Sequence, residues 1–186
     1  IDMSGIETLD NQSTGQAYIV VDDAGENQIK IHAGANTAFT PDYVQSKADL
    51  IKGSDFIIAQ FESSLDSVTE AFKIAREAGV KTILNPAPAV EKVPSDLLAV
   101  TDMIIPNETE TEILTGIEVT DEASMKKASK ALHDEGIEAV LITIGSKGTF
   151  YDVNGKSGIV PAFKVKAVDT TSAGDTFIGA MSTVLN

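Results

Sequence analysis

Cysteine is absent from the 186-residue chain, which excludes a disulfide framework, thiol catalysis and cysteine-ligated zinc. That absence fits a cytoplasmic protein. Positive charge is scarce: 14 Lys and Arg stand against 28 Asp and Glu, a formal net charge of −14. Such a balance lacks the clustered cations that nucleic acid or an anionic membrane surface demands. A phosphate can still be held locally, by a nest of backbone amides or a bound cation. No apolar run approaches the roughly 18 residues of a membrane-crossing helix, and the start does not read as a secretory signal. There is no GxxxxGKS/T loop, which excludes a P-loop nucleotidase. No GxGxxG stands between a strand and a helix, which speaks against a nicotinamide dehydrogenase. Repeats, low-complexity tracts and long linkers are also missing. Ile1-Asp2 is not a natural initiation, so the N-terminus is expected to be cut, processed or incomplete.

What is present is ordinary globular composition, 42% hydrophobic and 23% charged, enough for one α/β core. Residues 14–40 read as a hairpin. Ala17 to Val21 is β-prone, Asp22 to Asn27 is turn-rich, and Ile29 to His32 alternates apolar with polar. A two-stranded ribbon must pack on something to be stable. His32 fits a polar-face strand residue better than a ligand, since no second His stands near it.

From residue 41 strands and helices alternate. Pro41 suits a first helical turn ahead of Val44, Ala48 and Ile51. Phe56 to Phe61 is a near-continuous apolar run, predicting a strand buried on both faces. Leu65, Val68, Phe72 and Ala75 mark a helix closed by Gly79. Lys81 to Leu84 and Met103 to Ile105 follow as strands. Asn107 opens a helix through Leu114 that Gly116 closes, and Glu122 to His133 is another helix. Ala139 to Ile144 is the most strand-like segment, after which Thr149 to Tyr151 can pair back antiparallel. The expected architecture is three-layer αβα, a mostly parallel Rossmann-like sheet carrying an N-terminal β-ribbon.

Unusual polar residues follow nearly every strand: Gln60 and Glu62, Asn85, Asn107 and Glu110, Thr143 to Gly148, and Asp169 to Asp175. In a doubly wound sheet such ends converge on one crevice. Each also has a plain structural reading. Asn107 and Glu110 have capping-box spacing, and Gly145-Ser146-Lys147-Gly148 has the composition of a hairpin loop. Val165 to Val168 reads as a short extended segment, and from Thr176 onward Phe177, Ile178 and Met181 recur at helical spacing. Asp175 therefore sits at a helix entrance lined by small residues, where free amides and the positive dipole end favour an anion. It is either an N-cap or a general base beside amides that hold a transferring phosphoryl group.

The stretch Asp169-Thr170-Thr171-Ser172-Ala173-Gly174-Asp175-Thr176-Phe177-Ile178-Gly179-Ala180 resembles the C-terminal signature of the ribokinase-like (PfkB) carbohydrate kinase family. Asn85-Pro86-Ala87-Pro88-Ala89, Pro106-Asn107-Glu108-Thr109-Glu110 and Ile142 to Gly148 resemble further blocks of that family, in order and at suitable spacing. Gln60-Phe61-Glu62 and His32-Ala33-Gly34-Ala35-Asn36 favour the branch that phosphorylates ribose. Ser172 stands where most of the family has Gly.

The resemblance implies transfer of the ATP γ-phosphoryl group to the 5-hydroxyl of D-ribose. The alternatives are a fructose, sugar-phosphate or nucleoside acceptor, or an inactive truncated binding module. Asp175 would be the base and the amides of Ala173, Gly174 and Asp175 the anion hole. Glu62 would bind the sugar, and Asn107, Thr143, Gly145, Ser146 and Gly148 the nucleotide. Glu110 would meet Mg²⁺ through water, and Asp169 and Thr171 would hold an activating monovalent cation such as K⁺. Residues 1–40 would be a lid segment that also clasps a second subunit into a homodimer, and 41–186 an incomplete nucleotide- and phosphate-binding core. The family's N-terminal Gly-Gly sugar motif is not found and its segments beyond the last helix are not reached. The chain is therefore expected to be the middle of such a kinase, with little activity alone.

Overall fold

The computed structural model describes residues 2–21, 27–167 and 170–185; of the turn read at Asp22 to Asn27 all but Asn27 lies outside them, as do Val168 and Asp169. Two antiparallel strands, β1 (Gln16–Val21) and β2 (Asn27–His32), form a separate ribbon in which Ile19 faces Ile29 and Ala17 faces Ile31. Period-two alternation puts Ala17, Ile19, Val21, Ile29 and Ile31 on one side of it, and both faces of the ribbon are open to solvent. His32 lies on the other side, its Nε2 3.0 Å from Ser13 Oγ. A 3₁₀ turn at Gly34–Ala38 leads away, tied back where the Ala35 N–H donates to the Ser13 carbonyl at 2.8 Å.

Helix α1 (Pro41–Ser46) and helix α2 (Ala48–Lys52) replace the single helix expected from Pro41, because Lys47 leaves helical geometry at φ −111°, ψ 14°. Then come β3 (Phe56–Ala59), α3 (Leu65–Ala78), β4 (Lys81–Leu84), a short α4 (Ser95–Leu98) and β5 (Met103–Ile104). After them come α5 (Glu108–Thr115), α6 (Glu122–Asp134), β6 (Ala139–Thr143), β7 (Thr149–Val153), β8 (Lys156–Val160) and α7 (Ala173–Ser182). The six-stranded sheet has the order β3-β4-β5-β6-β7-β8; β3 to β6 pair in parallel, and the β6–β7 and β7–β8 pairs are antiparallel.

Because that order runs one way without reversing, right-handed crossovers put every connecting helix on the same side. Leu84, Ile104, Val140 and Ile142 pack there against Val68 and Phe72 of α3, Leu97 of α4, and Met125 and Leu132 of α6. The opposite face carries Ile83, Met103, Ile105 and Leu141, packed against Phe177, Ile178 and Met181 of α7. Among the described residues α7 therefore walls the strand ends from the other face.

Three local expectations change. β3 is the edge strand of the described sheet, so it is half-buried rather than enclosed, with Ile58 42% exposed. Residues 165–167 pair with no strand among the described residues, and Val165 is 80% exposed. β8 and α4 were not anticipated.

At the N-terminal edge of the sheet, buried Asp102 ties β4 to β5. Its carboxylate accepts from the Thr82 N–H at 2.8 Å, and its own N–H donates to Thr82 Oγ1 at 2.7 Å. Arg76 of α3 also donates to the carboxylate, and Lys81 Nζ lies 3.6 Å from it. Removing one partner of a buried polar network leaves the others unsatisfied. Asp102→Ala is expected to lower the unfolding free energy by about 3 kcal/mol, measured by urea denaturation; a loss under about 0.5 kcal/mol would contradict this role.

Candidate functional site

The parallel strands leave the sheet at one edge, and their register sets the exits side by side. Ala59 pairs with Leu84, and Leu84 with Ile104, so Gln60, Asn85 and Ile105 follow in line. Gln60 Nε2 donates to Asn85 Oδ1 at 2.9 Å, and Asn85 Nδ2 donates to the Ile105 carbonyl at 2.8 Å. One strand further, Asn107 and Thr143 form a parallel bridge, and the Thr143 N–H donates to the Pro106 carbonyl at 2.9 Å.

Asn107 and Glu110 form the capping box their spacing allows. Asn107 Oδ1 accepts from the Glu110 N–H, and Glu110 Oε2 accepts from the Asn107 N–H, both at 2.8 Å. Glu110 is 7% exposed. Burial pushes its carboxyl above the usual carboxylate range, and the Asn107 N–H partly offsets this.

The stretch from Gly145 to Gly148 is indeed the loop of the β6–β7 hairpin, built as a 3₁₀ turn at Gly145–Lys147. Gly148 has φ 118°, and a Cβ there would lie 2.0 Å from the Val160 carbonyl oxygen. Only glycine admits that crossing backbone. Gly145 and Ser146 are exposed beside Thr143, and Lys147 Nζ lies 3.8 Å from Glu108 Oε1, linking the loop to the start of α5.

At α7 the cap is Ser172, not Asp175. Ser172 takes φ 57°, ψ 22°, the left-handed geometry that favours glycine. Asp175 is the third residue of the helix, and its Oδ1 accepts from Gln60 Nε2 at 2.9 Å. The amides of Gly174 and Asp175 lie in the first turn, where no helical carbonyl stands four residues back. The Ala173 N–H donates to the Thr170 carbonyl at 3.2 Å, so one of the three expected anion-hole donors is engaged. Thr171 is half-buried in the preceding turn; Asp169 lies outside the described residues.

Asp175 lines a cleft of ≈ 260 Å³ with Ile58, Ala59, Gln60, Ile178 and Gly179. Glu62, exposed after β3, lines a second cleft of ≈ 380 Å³ with Asn36, Phe39 and Ser63. Ile58, Ala59 and Gln60 border both. The structure thus gathers the candidates in two groups along one edge. Glu62 and Asp175 lie near β3, and Asn107, Glu110, Thr143 and the glycine loop lie near β6. Three strand spacings separate them, about 14 Å. Gln60 and Asn85 stand out in the sequence as polar residues after strands and as members of two family-like blocks, but neither signal assigns them a role in the site.

Residues 1–185 match the model of the pfkB family carbohydrate kinases. The ribokinase of Staphylococcus aureus (strain COL) is 46% identical over 186 residues, covering 100% of this chain and 61% of that protein. The bifunctional ribokinase/ribose-5-phosphate isomerase A of Fructilactobacillus sanfranciscensis is 48% identical over 185 residues, covering 100% of this chain and 34% of that protein. The solved structure of Arabidopsis thaliana ribokinase complexed with ribose and ATP superposes with a TM-score of 0.86 at 30% identity, covering 94% of this chain and 57% of that one. The chain therefore spans less than two thirds of the length of each of these relatives.

Glu110 holds a proton more tightly folded than unfolded, so the stability linked to it is present at low pH and lost as pH rises through the carboxylate range toward its raised value. Glu110→Gln keeps the capping acceptor and removes that titration. The stability of the parent relative to the Gln variant is expected to fall as the pH rises above the ordinary glutamate value of about 4.3, measured by urea unfolding at stepped pH; a difference that stays constant as the pH rises would contradict it.

Proposed function

Because the chain belongs to the pfkB family of carbohydrate kinases, we propose that this protein is an ATP-dependent ribokinase, transferring the γ-phosphoryl group of ATP to the 5-hydroxyl of D-ribose. The names of its relatives support the acceptor. The observation that carries the chemistry is Asp175. It stands in the first turn of α7 with one carboxylate oxygen held by Gln60, in a cleft that shares its wall with the cleft of Glu62.

In this mechanism Asp175 takes the proton from the ribose hydroxyl as that oxygen attacks the γ-phosphorus in line and ADP leaves. The amides of Gly174 and Asp175 hold the charge on the transferring group, at the positive end of the α7 dipole. The Ala173 amide joins them on giving up the Thr170 carbonyl. Glu62 hydrogen-bonds the sugar. Asn107, Thr143, Gly145, Ser146 and Gly148 receive the nucleotide.

Among the described residues no group of three Asp, Glu or His side chains could cage a metal ion. One buried carboxylate does fit Mg²⁺ held mainly by water and phosphates. Glu110 Oε2 is committed to the capping box, so Oε1 is the atom a magnesium-bound water would meet. The ion supplies charge neutralisation on the phosphates. Thr171 and Asp169 are proposed for K⁺, a fixed charge beside the anion hole.

The ribbon, within residues 1–40, serves as lid over the core of residues 41–186 and excludes water from the transfer. Its apolar side, with Ile19 42%, Ile29 50% and Ile31 57% exposed, is proposed to meet the same surface of a second copy in a homodimer. The cytoplasm is the proposed location, since ATP is drawn there. No helix among the described residues is long and apolar enough to cross a membrane.

A chimera in which residues 1–186 replace the matching stretch of the Staphylococcus aureus ribokinase tests this by ADP release. Ribose is expected to be the preferred acceptor over fructose, and Asp175→Asn to lower kcat by about 10²- to 10⁴-fold. Unchanged turnover in the Asn variant would contradict the base assignment, and preference for fructose would contradict the acceptor.

A further inference from the structure

We infer that Gln60 is a positioning residue for Asp175, the last link of a side-chain relay that starts at the Ile105 carbonyl. The inference rests on the assignment of Asp175 as the base and adds to it the group that aims it.

The relay follows from hydrogen-bond chemistry. A backbone carbonyl accepts and cannot donate. The Ile105 carbonyl, 2.8 Å from the Asn85 amide, therefore requires the Asn85 NH₂ group on that side. Asn85 is 8% exposed, and buried polar groups must find partners. Its Oδ1 is left facing Gln60, and two carbonyl oxygens cannot bond to each other, so Gln60 must present its own NH₂. That group has two hydrogens. One goes to Asn85 Oδ1 and the other to Asp175 Oδ1, each at 2.9 Å. The orientation of both amides is thus dictated by one acceptor at the end of β5.

The backbone around Gln60 is equally constrained. The Phe61 N–H donates to the Ala87 carbonyl at 2.8 Å, and the Asn85 N–H donates to the Ala59 carbonyl at 2.9 Å. Gln60 is therefore pinned to the β4 chain on both sides. α7, in contrast, meets the sheet through one apolar stripe of Phe177, Ile178 and Met181. Apolar packing is non-directional and does not by itself fix the rotamer of a carboxylate at the helix start. The Gln60 donor does, and it leaves Asp175 Oδ2 for the reacting hydroxyl. Positioning of this kind raises the rate by holding a near-attack geometry rather than by binding the ground state more tightly.

Two variants of the chimera separate positioning from packing. Gln60→Leu keeps the bulk and loses the donor; Gln60→Glu keeps the shape and sets an acceptor against an acceptor. Both are expected to lower kcat by roughly tenfold or more with the KM for ribose within about twofold, and Gln60→Glu to be the worse despite its closer shape. kcat within about twofold of the parent in both, or a loss confined to KM, would overturn the inference. A second readout does not depend on activity. In the ¹⁵N-labelled 186-residue chain, Asp175→Ala is expected to shift the Gln60 side-chain amide resonances and leave those of Asn85 in place. Unmoved Gln60 resonances would overturn the relay. A parent chimera that phosphorylates no sugar would instead count against the proposed function, with the resonance shift still deciding the relay.

Discussion

Parallel pairing obliges a chain to leave the sheet at the same edge each time it completes a strand, and in this protein that edge is where the polar residues are placed. Three strands in unbroken order, β3 to β5, deliver Gln60, Asn85 and Ile105 to adjacent positions, and β6 brings Thr143 beside Asn107 two residues further along the same edge. A one-residue slip of any strand would turn its apolar side chains to the other face and move its exit residue out of line. Two opposed apolar faces enforce the register: Leu84, Ile104 and Val140 on one side, Ile83, Met103 and Leu141 on the other. The chemistry at the edge is thus a consequence of how the core is filled.

The two faces are not equivalent. Helices α3 to α6 all lie on one, as one-way strand order with right-handed crossovers requires. Among the described residues α7 alone covers the other, through three apolar side chains of which only Ile178 is buried. The candidate base sits on this lightly held helix, at a start that includes a left-handed Ser172. A site drawn from the less stable part of a fold fits a catalyst that must close over its substrates.

Much of this was legible from residue pattern. Asn107 and Gly116 bracket α5 as capping chemistry predicts, and Gly79 ends α3 in left-handed geometry. The antiparallel return of Thr149 to Tyr151 follows from the glycine loop before it. What was not legible depends on partners distant in sequence. The half-exposure of β3 is set by its place at the edge of the described sheet, which apolar content cannot report. α4 spans four residues, too few for a helical period to register. Whether Asp175 caps α7 or stands inside it turns on the φ of Ser172. The contact between Gln60 and Asp175 joins residues 115 apart, and nothing in either local sequence announces it.

The proposed function requires sugar and nucleotide to meet along the β3-to-β6 edge with Asp175 between them. It is tested most directly by a crystal structure of the chimera with ribose and a non-hydrolysable ATP analogue. A ribose hydroxyl is expected within hydrogen-bonding distance of Asp175 Oδ2, with Gln60 still bonded to Oδ1 and the terminal phosphate against the amides of Gly174 and Asp175. Ligands seated at another edge, or an Asp175 carboxylate turned away from both, would contradict it.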